Sequence, residues 1–350
     1  MAAADTKTQF NINRASAWVL LVVLVTFILQ TLDFLFIPLC FAILLCYALG
    51  IPLEFMKRYH LPGFVRIILV VGLVLLLIFM LGKLVMLNVN NFQSQMPEYE
   101  KKFWEYANII ISRFDISPEQ ANEAFQTFLG RIQLSQFTFG SLIKSFSGSF
   151  FAFLGNVLWV VLFMAFILAE RESFTRRLVN QLGKKNAGPV MESLQKINDS
   201  VQQYLGLKTL VSFLTGALVT IVLTIAGVDF ALLWGVLTFV LNFIPTIGSI
   251  VATLPPIAIT LFQSGSIGKT LIIAVLLLSI QFAVGNILEP KLMGRGLNLS
   301  PLVVLFSLIF WGWLWGIPGM LLSVPLTAAI RIAMEQIDAT KTVAVLISSK

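Results

Sequence analysis

The sequence predicts an all-α, polytopic helical membrane protein: six full spans plus two Pro/Gly-broken segments, about eight membrane segments, with an outer helical block. Three observations predict it. Of 350 residues, 58% are hydrophobic and 12% charged, with mean hydropathy +0.90, so polar surface is too scarce to coat a soluble globule. Apolar runs long enough to cross a hydrocarbon core of roughly 30 Å, which takes about 20 helical residues, recur along the chain. Two further apolar runs, 230–262 and 302–330, are much longer and carry Pro and Gly at their middles.

Residues 1–87 read as a three-span bundle with runs at 17–32, 34–53 and 64–87. Lys7 and Arg14 before the first run imitate a secretory signal, but no small-x-small site follows Leu29, which makes the run a span. Cys40 and Cys46 are too far apart along one predicted helix for an unstrained bridge and read as packing residues. Residues 88–145 form the outer block. There Tyr99, Phe103, Tyr106 and Ile110 recur at helical spacing, and Ser117, Pro118 and Gln120 supply a cap, a first-turn proline and a capping-box partner for a second helix.

Residues 146–206 combine a fourth span, 146–169, with an amphipathic helix inside the polar block 170–208. That helix carries Val190, Leu194, Ile197 and Val201 on one face and an i,i+4 pair of Glu192 and Lys196. Residues 207–335 form the transport core, in which spans at 207–227 and 267–287 alternate with the broken segments, and 336–350 form a tail. Lys57, Arg58 and Arg66, then Arg171, Arg176, Arg177, Lys184 and Lys185, mark the cytoplasmic side, which places both termini inside and the outer block outside.

As a straight helix, 230–262 would extend roughly 50 Å, well beyond what a bilayer needs. It contains FIPTIG at 243–248 and Pro255-Pro256, where the missing amide hydrogens predict helix breaks. The second segment breaks at GIPG, 316–319, with Pro325 beyond. Each half is too short for a full crossing, so a re-entrant hairpin fits, with kinked, tilted spans as the alternative. Lys and Arg counts do not separate the two, and Trp311, Trp313 and Trp315 lean toward spans, because tryptophan favours the interface. Paired interrupted segments of this kind point to a midplane transport site.

Charge is scarce within the apolar runs, and burying it at the bilayer centre costs at least about 2.5 kcal/mol. Asp33 and Asp229 read as turn residues, Lys83 as snorkelling and Glu170 as a span end. Glu289 is the functional candidate: it follows Asn286 at a span end and precedes Pro290, and it can bind a cation, exchange a proton, or pair with Lys291 or Arg295. Neutral polar groups near the breaks are Asn242, Thr246, Ser249, Thr253, Gln281, Asn286, Ser323 and Thr327. They suit a hydroxylated solute or a partly dehydrated monovalent cation.

Enzymatic patterns fail on their own terms. GSIGKT at 265–270 lacks the glycine of a phosphate loop where Gln263 stands. Ser141 with Lys144 and Ser193 with Lys196 have no accompanying hydrolase motifs, and His60 is the only histidine. Gly312 and Gly316 at GxxxG spacing read as a helix contact or a homo-oligomer face.

GNILEPKLMGRGLNLSP and the run after it, 285–330, closely resemble the C-terminal signature of the autoinducer-2 exporter family of bacterial membrane proteins, and FIPTIGSIVATLPP at 243–256 resembles an earlier element of it. Asn286, Pro290, Gly294, Pro301, Gly316, Gly319 and Pro325 fall on the later pattern, and Pro245, Gly248 and Pro255 on the earlier. The resemblance implies a bacterial inner-membrane transporter. The family is named for export of a furanone-like quorum-sensing signal, while other members are associated with exchange of sodium or lithium for protons.

Together these readings lead to a non-enzymatic secondary transporter exporting a small polar, autoinducer-2-like molecule by alternating access. The alternatives are a sodium (lithium)/proton antiporter and a non-transporting membrane scaffold. Asn242, Thr246, Gln281, Asn286 and Glu289 would line the path, and Pro245, Gly248, Pro255, Pro290, Gly316, Pro318, Gly319 and Pro325 would shape tips and breaks. No cofactor, metal or nucleic acid is expected; the partners are the lipid bilayer, a small polar solute or monovalent cation, and further copies of the chain.

Overall fold

The computed structural model describes residues 16–17, 20–50, 56, 62–112, 127, 139–293, 299–335 and 340–348. Lys7, Arg14, Lys57, Arg58, His60, the helix expected around Ser117 and Pro118, and Gly294 with Arg295 lie outside the described residues. The helices are α1 (Leu20–Thr31), α2 (Asp33–Ala48), α3 (Gly63–Ser112), α4 (Phe139–Ile225), α5 (Ala231–Leu241), α6 (Ile247–Ser264) and α7 (Ile267–Phe282). A π-helical segment, Ala283–Leu288, leads into α8 (Glu289–Met293), followed by α9 (Pro301–Glu335) and α10 (Lys341–Ile347). Among the described residues, five helices are long and apolar enough to cross a membrane, and up to six if α1 and α2 are taken as one bent span.

Several expected boundaries are absent. The third run and the first outer helix are one helix, α3, whose 50 residues extend about 75 Å at 1.5 Å per residue. No helix breaker separates the apolar part from the amphipathic part, and Pro97 is carried inside the helix. In α4 the chain kinks at Gly183, where φ is 71°, between a first helix that carries the fourth span and a second in which the amphipathic helix runs unbroken into the span at 207–227. The first two apolar runs meet at an 87° corner at Leu32.

The described contacts fall into two compact units. One comprises Met1–Gly50, Trp159–Val201 and Leu297–Lys350. Its core packs Trp311, Leu314, Trp315 and Leu322 of α9 against Phe36, Ile37, Phe41 and Leu44 of α2. Both buried indoles keep their N–H groups satisfied, Trp311 donating to Thr327 Oγ1 at 3.2 Å and Trp315 to the Leu29 carbonyl at 2.9 Å, while Trp313 faces outward. These bonds satisfy the polar edge of each buried indole. At the base of α9, Ser300 N–H donates to the Ile347 carbonyl at 3.1 Å.

The other unit comprises Ile51–Leu158 and Gln202–Gly296. Val219 and Leu223 of α4, Trp234 of α5, Ile259 and Phe262 of α6, and Ile273 and Leu277 of α7 form its core with Tyr99 of α3. The opposite sides of these helices expose Phe213, Leu254, Leu271 and Val275. That is the pattern of helices solvated by lipid, which marks a multi-pass membrane protein. Gly216 and Gly235 let α4 and α5 approach closely: a methyl on Gly235 would strike the Thr220 hydroxyl and one on Gly216 the Gly235 carbonyl.

Both long broken segments reverse direction. Gln263 at the end of α6 returns to the entry of α5, where its Nε2 donates to the Gly227 carbonyl at 2.9 Å and its Oε1 accepts the Asp229 N–H at 3.0 Å. In α9 the Trp311–Thr327 bond joins residues 16 apart, which a straight helix would hold about 24 Å apart. The chain path is therefore a helical hairpin in each case, not a kinked rod.

The prolines act less uniformly than expected. Pro245 sits at the first reversal, and Pro318 lies just after the second, in a first turn whose N–H groups have no helical acceptor. Pro255 and Pro256, by contrast, do not break α6, and Pro325 does not break the second arm of α9. Both helices continue through these prolines, with Ala252, Pro256 and Pro325 buried against their neighbours. Pro290 follows the π segment, in which the Glu289 N–H reaches back to the Val284 carbonyl.

Candidate functional site

The first hairpin turns through a strained tip. Thr246 has φ 60° and ψ −55°, and the Ile247 N–H donates to the Pro245 carbonyl at 2.6 Å, which is a γ-turn of the rare positive-φ kind. Two residues later Gly248 packs so tightly that a methyl there would strike the Leu241 carbonyl. The second hairpin solves the same problem with glycine. Gly316 takes φ 64°, and a methyl on Gly319 would strike the Trp311 carbonyl. Gly312 faces Met320 of the returning arm, with 3.0 Å between its would-be Cβ and the Met320 side chain, so this GxxxG pair serves the hairpin itself.

Polar groups gather along one face of α4. Tyr204, Lys208, Ser212 and Thr215 follow helical spacing, and all are buried. Lys208 Nζ pairs with Glu289 Oε1 at 2.5 Å, with the side chains 5% and 20% exposed. One turn along, or about 6 Å, Asn242 Nδ2 donates to Ser212 Oγ at 3.0 Å. A single stripe of α4 thus brings Glu289 and Asn242 together, the latter from the approach to the hairpin tip. Thr215 spends its hydroxyl on the Val211 carbonyl of its own helix.

Other expected residues stand apart from this seam. Thr246 and Asn286 are exposed, and Gln281 is half-buried on α7. Ser249, Thr253 and Ser323 bond back to carbonyls of their own segments, while Thr327 receives the Trp311 indole. Of the two partners expected for Glu289, Lys291 is exposed and makes no ion pair with it among the described residues, and Arg295 lies outside them. Its partner, Lys208, belongs by sequence to the end of a polar block. The signal was present nonetheless, because Lys208 lies one residue inside the apolar run 207–227, where a charge is costly.

Removing each ion from water costs several kcal/mol, and the mutual attraction offsets that only while both charges are present. Losing one partner costs about 3–5 kcal/mol, whereas replacing both by apolar groups is often neutral. The pair is thus weak as a source of stability and strong as a constraint on charge. Elsewhere in this unit Tyr99 Oη donates to Asp229 Oδ2 at 2.6 Å, tying α3 to the hairpin entrance. Burial and that carboxylate push the Tyr99 hydroxyl above the ordinary phenol range.

The profile of the AI-2E family transporter matches residues 17–339. The chain is 34% identical over 322 residues to the AI-2 transport protein TqsA of Escherichia coli strain K12, covering 89% of each chain. It is 32% identical over 311 residues to a Borreliella burgdorferi protein named "Putative transport protein", covering 89% of this chain and 83% of that one. A Haemophilus influenzae protein of the same name is 35% identical over 285 residues, covering 80% of each. A multi-pass helical chain matched along nearly its whole length in this way belongs to the AI-2E family of transporters.

Proposed function

We propose that this protein is a secondary transporter of the bacterial cytoplasmic membrane that moves a small polar solute outward by alternating access. The carrying observation is the pair of Pro/Gly hairpins within apolar sequence, the first led into by Asn242 of a buried polar seam. Re-entry explains their geometry. Each hairpin enters and leaves the membrane on one face, and the backbone groups freed at its tip need polar partners rather than lipid. At the first hairpin, Asn242, Glu289 and the tip residue Thr246 border a passage whose hydrogen-bonding groups suit a small hydroxylated molecule. The name of TqsA makes an autoinducer-2-like molecule the first solute to assay. The Lys and Arg distribution supports cytoplasmic termini.

The Glu289 carboxylate, as a proton carrier, favours a second reading, exchange of protons for a monovalent cation held by other groups. Inside-out vesicles separate the two. Outward transport predicts accumulation of labelled solute, reduced at least about tenfold by Asn242→Ala together with Glu289→Gln. Sodium-triggered proton release without solute movement would favour exchange, and unchanged accumulation in the variants would remove these residues from the path.

A further inference from the structure

We propose that Glu289 is a proton-binding site with Lys208 as its built-in counter-ion, and that protonating the carboxylate releases α4 from the π-helical segment before Glu289. The switch stands on geometry alone; its use in driving solute rests on the transport reading above.

The chemistry is a single proton transfer. Deprotonated Glu289 accepts from the Lys208 ammonium at 2.5 Å, and the buried pair is neutral overall. Adding one proton to the carboxylate leaves a neutral acid beside a buried ammonium that has lost its counter-charge. That state is costly while it stays buried. Lys208 stands one residue inside its apolar run, so its four-carbon stem can carry the ammonium toward water once the carboxylate no longer holds it.

The backbone on the Glu289 side is built to shift. Residues 283–288 form a π segment, and the Glu289 N–H bonds to the Val284 carbonyl five residues back. A π turn converts to an α turn by moving its bonds one residue, which rotates everything beyond it. Pro290 offers no N–H to lock either register. Nothing lies within 4 Å of where a Gly285 side chain would be, and Asn286 is exposed, so neither obstructs the rotation.

A proton fits this site better than a metal ion. Hard cations need several oxygen ligands together. Among the described residues, no three His, Cys, Asp or Glu side chains gather, and the ammonium beside Glu289 repels a second cation. Lys208 meets the carboxylate, Tyr204 lies one turn from Lys208 on the same buried face of α4, and Lys291 is exposed two positions along Glu289's own helix.

The test is hydrogen–deuterium exchange of the full-length protein in lipid nanodiscs across a pH series, corrected for intrinsic exchange and read at 283–293. Protection there should fall about tenfold or more as pH is lowered. Glu289→Gln should be unprotected at every pH, and Lys208→Met with Glu289→Gln protected at every pH, because the neutral pair no longer needs to part. Constant protection in the parent, or parent-like pH dependence in either variant, overturns the proposal. Proton uptake into pyranine-loaded liposomes, with candidate solute present, reports separately on transport. If the exchange signature holds while no solute carries protons, the switch stands and the transport reading fails.

Discussion

Gln263 closes the base of the first hairpin by holding Asp229: its Oε1 accepts the Asp229 N–H at 3.0 Å across 34 residues of chain. The same side chain donates to the Gly227 carbonyl at 2.9 Å. Replacing it by leucine removes both bonds and leaves two backbone groups unpaired, which should cost about 2 kcal/mol. Gln263→Glu keeps the acceptor and loses the donor, so its midpoint in thermal unfolding should fall between parent and Gln263→Leu. Equal midpoints for all three would show that the base is held by packing alone.

Backbone proximity at the tips predicts a sharp contrast among glycines. A methyl on Gly248 or Gly319 meets a carbonyl oxygen that cannot move without opening the hairpin, so each alanine variant should lose about 1–3 kcal/mol. Gly72 has nothing within 4 Å of its added Cβ, and Gly72→Ala should be neutral or gain up to about 1 kcal/mol. Chemical denaturation of the three variants in one detergent gives the comparison.

Thr246 holds a positive φ of 60° without being glycine. Thr246→Gly should relieve about 1 kcal/mol of strain and raise the unfolding midpoint. If the threonine hydroxyl also contacts solute, the same variant should transport more slowly despite its greater stability. A lower midpoint would mean that the γ-turn is not strained.

The hairpins were legible because Pro245, Gly248, Gly316, Pro318 and Gly319 interrupt runs too long for a crossing, and the apolar runs 207–227 and 267–287 are visible by composition. Local rules failed where packing decided the outcome. Pro255 and Pro256 read as a break, yet α6 continues through both, with Ala252 and Pro256 buried. Lys208 read as the end of a polar block, and the approach of Glu289, distant in sequence, explains its burial. The close contact of Gly216 with Gly235 joins two helices, so no spacing within either one announces it.

Alkaline pH should loosen the tie between α3 and the hairpin entrance. The Tyr99 hydroxyl is raised above its ordinary value of 10.0, so between the unfolded and folded values the folded state keeps a proton that the unfolded chain has lost. The contribution is therefore complete below pH 10.0 and declines as pH rises beyond it. Tyr99→Phe should lose about 1 kcal/mol at neutral pH and this share of the alkaline decline. An identical decline in parent and variant would assign the effect to other groups.

Whether the hairpins re-enter the membrane is best measured by side-specific thiol labelling, after Cys40 and Cys46 are replaced. Single cysteines at Thr224 and Gly268 flank the first hairpin, and cysteines at Ser300 and Glu335 flank the second. Impermeant reagent should reach both members of the first pair only from outside and both members of the second only from the cytoplasm. Labelling of either pair from opposite faces would make that segment a crossing and contradict the transport core proposed for this protein.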